Sequence, residues 1–200
     1  VTLSFIPTDS APQDPHVTAG PSTAPPALSF DSLVAQLTAL NEEFLSQPVL
    51  CIVRHAVRLD YIDLDWVPQA AYPHDPPLHS SGIQQSKEVG QRLKDMRFDV
   101  IVSSPYFRST QTARYIAKYA GMKYHIEPGL SEFLSKVNRR GVPEFDPARL
   151  EDKYYDANYT PVCEAVVLET WSGIVERVYR TAVELTRRYK RVCFVTHRST

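Results

Sequence analysis

Short apolar runs alternate with longer segments of helical periodicity along most of this chain, and that alternation is the strongest constraint on its fold. The runs with the length of a strand are residues 48–55 (PVLCIVRH), 98–103 (FDVIVS), 123–128 (KYHIEP) and 191–197 (RVCFVTH). The first run is nearly all apolar and rich in β-branched residues, which is typical of a strand covered on both faces. Strands that alternate with helices predict a three-layer α/β/α sandwich with a mainly parallel sheet.

The helical segments carry start and stop signals of their own. The first helix is expected from Asp31, with Ser29 or Asp31 as its N-cap. Another is expected to open at Ser104-Pro105, with the serine as N-cap, and to close at Gly121. The other two helices are predicted within residues 80–96 and 164–190, the latter with Val175, Val178, Ala182 and Leu185 toward the core.

Length and composition bound the domain organisation. The chain has 200 residues and 43% apolar content, enough for one domain with a real core. Residues 1–29 are rich in Pro, Ser, Thr and Ala without a sustained period, so we expect a disordered tail or linker there. The globular domain is expected over residues 30–200.

Charge and cysteine content exclude several classes of function. The formal net charge is −1, so no global field favours nucleic acid or an anionic membrane surface. No apolar run reaches the roughly 18 residues that would span a bilayer. The three cysteines form an odd set without CxxC spacing, which argues against a disulfide framework and against structural zinc. We therefore expect a cytoplasmic protein, with the nucleus as the alternative.

Charged and polar residues follow three of the predicted strands. Arg54 and His55 follow the first, Arg108 lies in the turn after the second, and His197 follows the last. Ligands bind outside the carboxyl ends of the strands in open α/β sheets. An arginine in the first turn of a helix opposes the helix dipole, but it suits an anion site, where it converges with free backbone N–H groups. Each residue taken singly also has a merely structural interpretation.

Phosphoryl transfer through histidine is the chemistry that needs this set. A neutral imidazole is a competent nucleophile near neutral pH, because its ordinary pKa is about 6.5. Arginines neutralise the oxygens of the transferred group through their planar donors, and their charge also disfavours imidazolium at His55. The stretch RHAVR, residues 54–58, therefore has the composition of half a phosphate pocket.

Five segments together resemble the histidine phosphatase superfamily, also called phosphoglycerate mutase-like. They occur in the family's order and cover about residues 48–200: RHA at 54–56, PLHSSGIQQ at 77–85, SSPYFRSTQTA at 103–113, EPGLSEF at 127–133 and VTH at 195–197. Within the family, RHAVRLD, EPGLSEF and DANYTPV look most similar to the phosphatase domains of the Sts proteins, the suppressors of T-cell receptor signalling, and of their ecdysteroid-phosphate phosphatase relatives.

The resemblance implies a role for each matching residue. His55 would be the nucleophile that becomes phosphohistidine, and Glu132 would protonate the leaving oxygen and later activate water. The phosphate would be bound by Arg54, Arg58, Arg108 and His197. No metal and no cofactor are implied. The implied partner is a phosphomonoester, with a phosphotyrosine protein among the candidates, and a homodimer is compatible with the family.

Two departures from the family keep other functions open. Ala56 stands where the family has glycine, and a methyl group would obstruct the site if that position needs a positive φ or a close approach to phosphate. Family members usually continue past the second histidine into a covering helix, so we expect the sequence to be truncated at its C-terminus. The alternatives are a weak or inactive domain that binds or scaffolds, and a small-metabolite phosphatase or mutase of the same fold.

Overall fold

The computed structural model describes residues 29–133, 146–149 and 153–200. Two units are distinguished along the chain, Val1–Leu40 and Asn41–Thr200. The first helix, α1, spans Phe30–Ser46 and so belongs to both. Its predicted cap is confirmed, because the Ser29 hydroxyl accepts a hydrogen bond from the Ser32 N–H at 3.2 Å. The predicted tail over residues 1–29 lies, apart from Ser29, outside the described residues.

The second unit contains a four-stranded sheet in which every pairing is parallel. Its strands are β1 (Val49–Arg54), β2 (Val100–Ser103), β3 (His125–Ile126) and β4 (Arg191–Thr196), and their spatial order is β1-β4-β2-β3. The last strand thus lies between the first and the second. This order brings the carboxyl ends of β1, β4 and β2 side by side, and the predicted parallel α/β fold is confirmed.

Helices cover both faces of the sheet. Helices α2 (Ser80–Leu93) and α3 (Phe107–Ala120) lie on one face, where Ile116 packs with Ile101 and Cys193. Helix α4 (Trp171–Arg188) lies on the other, where Leu185 packs with Phe194. No helix in the described part of the chain is long and apolar enough to cross a membrane.

Small residues bring α2 and α3 into close contact. The buried residues of α2 are Gly82, Ser86 and Gly90, spaced four apart on one face. A Cβ at Gly90 would lie 2.7 Å from the Tyr115 carbonyl oxygen, and one at Gly82 would overlap the Val57 carbonyl. Helix α2 is therefore seated directly against the backbone that follows β1, where the candidate site begins.

Two expectations about burial are wrong. Strand β1 was expected to be covered on both faces, but Leu50 and Ile52 are 41% and 61% exposed. β1 is an edge strand, and no element among the described residues covers it on the face beside α4. In α4, Val175 is 56% exposed, and Ile174 and Arg177 are buried instead. The helix is correctly placed, but its buried stripe is rotated at the N-terminal end.

The start of α3 also differs from the sequence-based expectation. The helix begins at Phe107 with Tyr106, not Ser104, at the N-cap position. The Ser104 hydroxyl lies 2.7 Å from Nε2 of His197 and accepts only a long hydrogen bond, 3.5 Å, from the Tyr106 N–H. The free N–H of Phe107 instead donates to the Asp75 carboxylate at 2.8 Å. The other end is as predicted, since Gly121 closes the helix with a left-handed φ of 68°.

Candidate active site

The carboxyl edge of the sheet gathers all the side chains that the sequence pattern singled out. His55 follows β1 and His197 follows β4, and the His55 N–H donates to the Thr196 carbonyl at 2.9 Å. Arg108 lies in the first turn of α3, and Glu132 follows the short 3-10 turn Pro128–Leu130. The side chains of four different parts of the sequence thus meet at one edge of the sheet.

The distances at this point are those of a single site. The imidazole rings of His55 and His197 lie 5.3 Å apart between centroids, in an edge-to-face arrangement. Nδ1 of His197 lies 3.2 Å from Nη2 of Arg108 and 3.3 Å from Oε2 of Glu132. Nη2 of Arg108 also donates to Oε2 of Glu132 at 3.4 Å. Glu132 therefore borders the same small space as both imidazoles.

Arg108 carries unused hydrogen-bond donors in a buried position. It is 3% exposed, and its Nε and Nη1 atoms have no hydrogen-bond partner among the described residues. Nη1 forms an ion pair with Asp75 at 3.8 Å, which is too long for a hydrogen bond. Buried charged donors left unpaired are costly unless a ligand satisfies them. The buried guanidinium therefore has donors that an anion can satisfy.

The other two arginines lie closer to solvent. Arg58 forms a bidentate ion pair with Asp60 and lies 4.4 Å from the centre of the Tyr61 ring. Arg54 is exposed and lines a cavity of about 350 Å³, whose wall also includes His55, Tyr61 and Gln85. The cavity thus lies directly beside the imidazole of His55.

Burial and positive charge hold both imidazoles in the neutral form. Desolvation, with repulsion from Arg108, Arg54 and Arg58, lowers the pKa of His55 to about 3. The same causes, burial first, hold the pKa of His197 well below its ordinary value. Nδ1 of His55 lies 2.9 Å from the Ala56 carbonyl, which can only accept, so this nitrogen carries the proton. The lone pair of His55 is therefore on Nε2.

The two candidate glutamates have different environments. Glu127 is fully buried, and its carboxylate accepts four hydrogen bonds, from the N–H groups of Gly129, Val162 and Cys163 and from the Tyr159 hydroxyl, at 2.7 to 3.2 Å. Its lone pairs are used to hold its own turn and the segment of residues 159–163 together. Glu132 is only partly buried and faces the imidazoles, so of the two it is the one placed for proton transfer.

Ala56, which stands where the family has glycine, does not have the positive φ that would make an alanine strained there. Among the described residues, the non-glycine positions with positive φ are Arg97 and Leu168. Ala56 therefore has an ordinary φ for an L-residue, and its N–H donates to the Thr112 hydroxyl at 3.2 Å. The part of the concern that involved left-handed backbone does not apply to this chain.

Three further residues contact the site, although the sequence analysis did not place them in it. Ser104 bonds His197, and Ser199 donates to Oε1 of Glu132 while accepting from the Phe133 N–H at 3.3 Å. Asp75 is 5% exposed and also accepts from Arg149 at 2.7 Å. Ser104 lies within a recognisable motif, but the other two stand in irregular segments that carry no periodic signal, so only the tertiary structure identifies them.

The two imidazoles and Glu132 also have the composition of a metal site. His55, Glu132 and His197 offer ligand atoms within 4.8 Å of one another. Three guanidinium groups act on the same imidazoles, however, and they raise the electrostatic cost of a divalent cation there. The residues present fit an anion better than a metal ion.

Comparisons with known proteins agree with this geometry. The family model of the histidine phosphatase superfamily, branch 1, matches residues 50–200. The uncharacterised phosphatase PhoE of Bacillus subtilis is 29% identical over 152 residues, which cover 74% of this chain and 70% of that protein. The mouse ubiquitin-associated and SH3 domain-containing protein A is 24% identical over 188 residues, covering 74% of this chain but only 30% of its own length.

The solved structures show the same fold. The ecdysone phosphate phosphatase of Bombix mori, in complex with tungstate, superposes with a TM-score of 0.62 at 22% identity, covering 74% of this chain and 71% of that one. Because the family model covers three quarters of the sequence, the chain belongs to the histidine phosphatase superfamily. The family predicted from the sequence motifs is confirmed, and it supports phosphatase chemistry in general.

Proposed function

We propose that this chain is a phosphomonoester hydrolase that works through a phosphohistidine at His55. The observation that carries the proposal is that a neutral imidazole lines a cavity at the same end of the sheet as the unpaired buried donors of Arg108. A nucleophile and an anion cradle are the two parts that phosphoryl transfer requires, since its catalysis rests mainly on positioning and charge neutralisation.

The reaction would proceed in two balanced steps. In the first, the Nε2 lone pair of His55 attacks phosphorus, the bond to the ester oxygen breaks, and Glu132 gives that oxygen a proton. In the second, Glu132 takes a proton from water, the water oxygen attacks phosphorus, and the N–P bond breaks. Inorganic phosphate leaves, and His55 returns to its neutral state. Arg54, Arg58, Arg108 and His197 would hold the phosphate oxygens throughout.

The cavity beside His55 favours an ester with a bulky or aromatic group. Its volume of about 350 Å³ exceeds the need of a phosphate alone, and the ring of Tyr61 forms part of its wall. An aromatic leaving group can stack on such a ring. Aryl phosphates, including phosphotyrosine in a protein, are therefore the proposed substrate class.

Trapping the intermediate tests the proposal. The protein is mixed with phosphorus-labelled phenyl phosphate and quenched rapidly in alkali, which preserves phosphohistidine but not acyl phosphate. We expect label on the wild type and none on His55→Ala. Turnover that persists unchanged in His55→Ala would overturn the proposed nucleophile. Comparing p-nitrophenyl phosphate and phosphotyrosine peptides with 3-phosphoglycerate separates an aryl phosphatase from a small-metabolite phosphatase.

The non-catalytic alternative makes a different prediction for the same experiment. A scaffold of this fold would still bind phosphate at Arg108, because the donors of that guanidinium do not depend on a reactive His55. It would show saturable protection by inorganic phosphate in thermal unfolding but no labelled protein after the quench. The two readouts together therefore distinguish an enzyme from a phosphate-binding domain.

A further inference from the structure

The peptide unit between Ala56 and Val57 is held at both ends by side chains. Its carbonyl, on Ala56, accepts from Nδ1 of His55 at 2.9 Å. Its N–H, on Val57, donates to Oε1 of Gln85 at 3.2 Å. A peptide unit is planar, so the N–H and the carbonyl turn together. The contact made by Gln85 therefore sets the direction of the carbonyl that orients His55.

The amide orientation of Gln85 follows from the chemistry of its partner. A backbone N–H only donates, so the atom that faces Val57 has to be the oxygen Oε1. Gln85 stands on α2, which is fixed against this part of the chain, because Gly82 leaves no room for a Cβ beside the Val57 carbonyl. The N–H of His79 also donates to that carbonyl, at 2.9 Å. The distance from Gln85 to Val57 is thus set by packed backbone.

Neighbouring contacts hold the same loop without reaching this peptide unit. The hydroxyl of Thr112 accepts from the Ala56 N–H at 3.2 Å and donates to the Arg108 carbonyl at 2.9 Å. It fixes the preceding peptide, between His55 and Ala56. Gln85 is the side chain that bonds the peptide whose carbonyl faces Nδ1. The two residues therefore constrain successive peptide planes.

The orientation of this carbonyl decides which nitrogen of His55 is nucleophilic. A carbonyl aimed at Nδ1 keeps the proton there and leaves the lone pair on Nε2. A hydrogen bond from the N–H end also polarises the unit and strengthens its carbonyl as an acceptor. Without Gln85, the unit loses the acceptor for its N–H and one restraint on its rotation. The preference for the reactive tautomer then falls.

We propose that Gln85 is a positioning residue for His55, acting through the Ala56–Val57 peptide to hold the imidazole in its Nδ1-protonated tautomer and in line with the phosphate. The proposal rests on the proposed function of His55. It assigns Gln85 no contact with the transferred phosphoryl group, and the residue therefore affects the chemical step rather than phosphate binding.

Three variants test this assignment kinetically. Gln85→Met keeps the length of the side chain but removes the acceptor, whereas Gln85→Glu keeps an acceptor facing the Val57 N–H. Gln84→Met is the matched control, because Gln84 is the adjacent glutamine on α2 and its amide donates to Glu88 at 3.0 Å on the exposed face. For Gln85→Met we expect kcat with p-nitrophenyl phosphate to fall by about 10-fold to 100-fold.

The companion readouts separate positioning from other roles. The inhibition constant of inorganic phosphate should stay within about 2-fold in Gln85→Met, and Gln85→Glu should recover most of kcat, whereas Gln84→Met should resemble the wild type. A kcat of Gln85→Met within about 2-fold of wild type would overturn the proposal. A change confined to KM that varies with the leaving group would overturn it as well, because it would show a substrate contact.

The tautomer itself can be measured without relying on turnover. In protein labelled with ¹⁵N-histidine, the ring nitrogen shifts of His55 distinguish a protonated Nδ1 from a protonated Nε2. We expect the wild type and Gln84→Met to show protonated Nδ1, and Gln85→Met to shift toward a mixture. An unchanged spectrum in Gln85→Met would refute the positioning role. An inactive wild type with the expected spectral change would instead refute the proposed function and leave the positioning role standing.

Discussion

Acid should destabilise the fold through the buried imidazole of His55. Burial in the pocket, with repulsion from the surrounding arginines, lowers its pKa to about 3, against an ordinary value of 6.5. The folded state therefore keeps His55 neutral at pH 5, whereas the unfolded chain binds a proton there. Above about pH 7.5 neither state is protonated, and His55 makes no contribution to the pH dependence of stability.

The size of the effect follows from linkage. Between pH 6.5 and about 3, the unfolded state binds more protons, so stability falls as the pH falls, by about 1.4 kcal/mol for each pH unit. From pH 7.5 to pH 5.0 the loss caused by His55 is therefore about 2 kcal/mol. The result hardly depends on the exact pKa in the folded state, because at pH 5.0 any value below about 4 leaves the folded imidazole neutral.

Urea denaturation of wild type and His55→Gln at both pH values isolates this contribution. Glutamine does not titrate, so the variant should lose about 2 kcal/mol less than the wild type between pH 7.5 and 5.0. Carboxylates elsewhere act on both proteins and cancel in the difference. His197→Gln offers an independent case, because burial also holds the pKa of His197 well below its ordinary value. Equal losses in wild type and His55→Gln would refute the electrostatic account of the pocket.

Three further changes have expected outcomes. Ala56→Gly should lower the free energy of unfolding in urea by about 0.5 to 1 kcal/mol. It should not raise kcat more than about 3-fold, because Ala56 has no positive φ to relieve, and a far larger gain would show that the methyl group obstructs phosphate. Arg108→Lys should weaken inhibition by inorganic phosphate at least about 10-fold, because lysine lacks the planar guanidinium and its several fixed donors. Unchanged inhibition would show that Arg108 does not bind the phosphate. Arg177→Met should lower the free energy of unfolding in urea by about 3 to 5 kcal/mol, because it leaves Glu169 buried and unpaired. Arg187→Met removes an exposed ion pair and should lower it by under about 1 kcal/mol, so similar losses in both variants would contradict the prediction.

The predicted destabilisation by Arg177→Met has a consequence for the site as well. Arg177 donates to the carbonyls of Gly129 and Ser131, at 2.6 and 3.2 Å, just before Glu132. The buried ion pair with Glu169 therefore holds the backbone from which Glu132 reaches the imidazoles. We expect the variant to lose activity at temperatures where it is still folded, which a comparison of unfolding and turnover at 15 °C would show.

Local sequence patterns were sufficient to predict the strands, the helices and the edge of the sheet where the candidate residues meet. Apolar runs and helical spacing depend on neighbours a few residues away, so they can be read without the fold. The end of α3 at Gly121 was predicted for the same reason. The exposed face of β1 and the rotated stripe of α4 could not be, because burial depends on which elements lie opposite, and Leu50 and Ile52 have the composition of covered residues.

The sequence by itself determined which residues stand at the strand ends, and parallel strands then bring those ends together. Only the tertiary structure decided how the polar groups are used. Glu127 and Glu132 are five residues apart, yet the first is enclosed by donors more than 30 residues away and the second faces the imidazoles. Ser104 looks like a helix cap but bonds His197, 93 residues along the chain. Hydrogen-bond partners at such separations are chosen by packing, which no local pattern encodes.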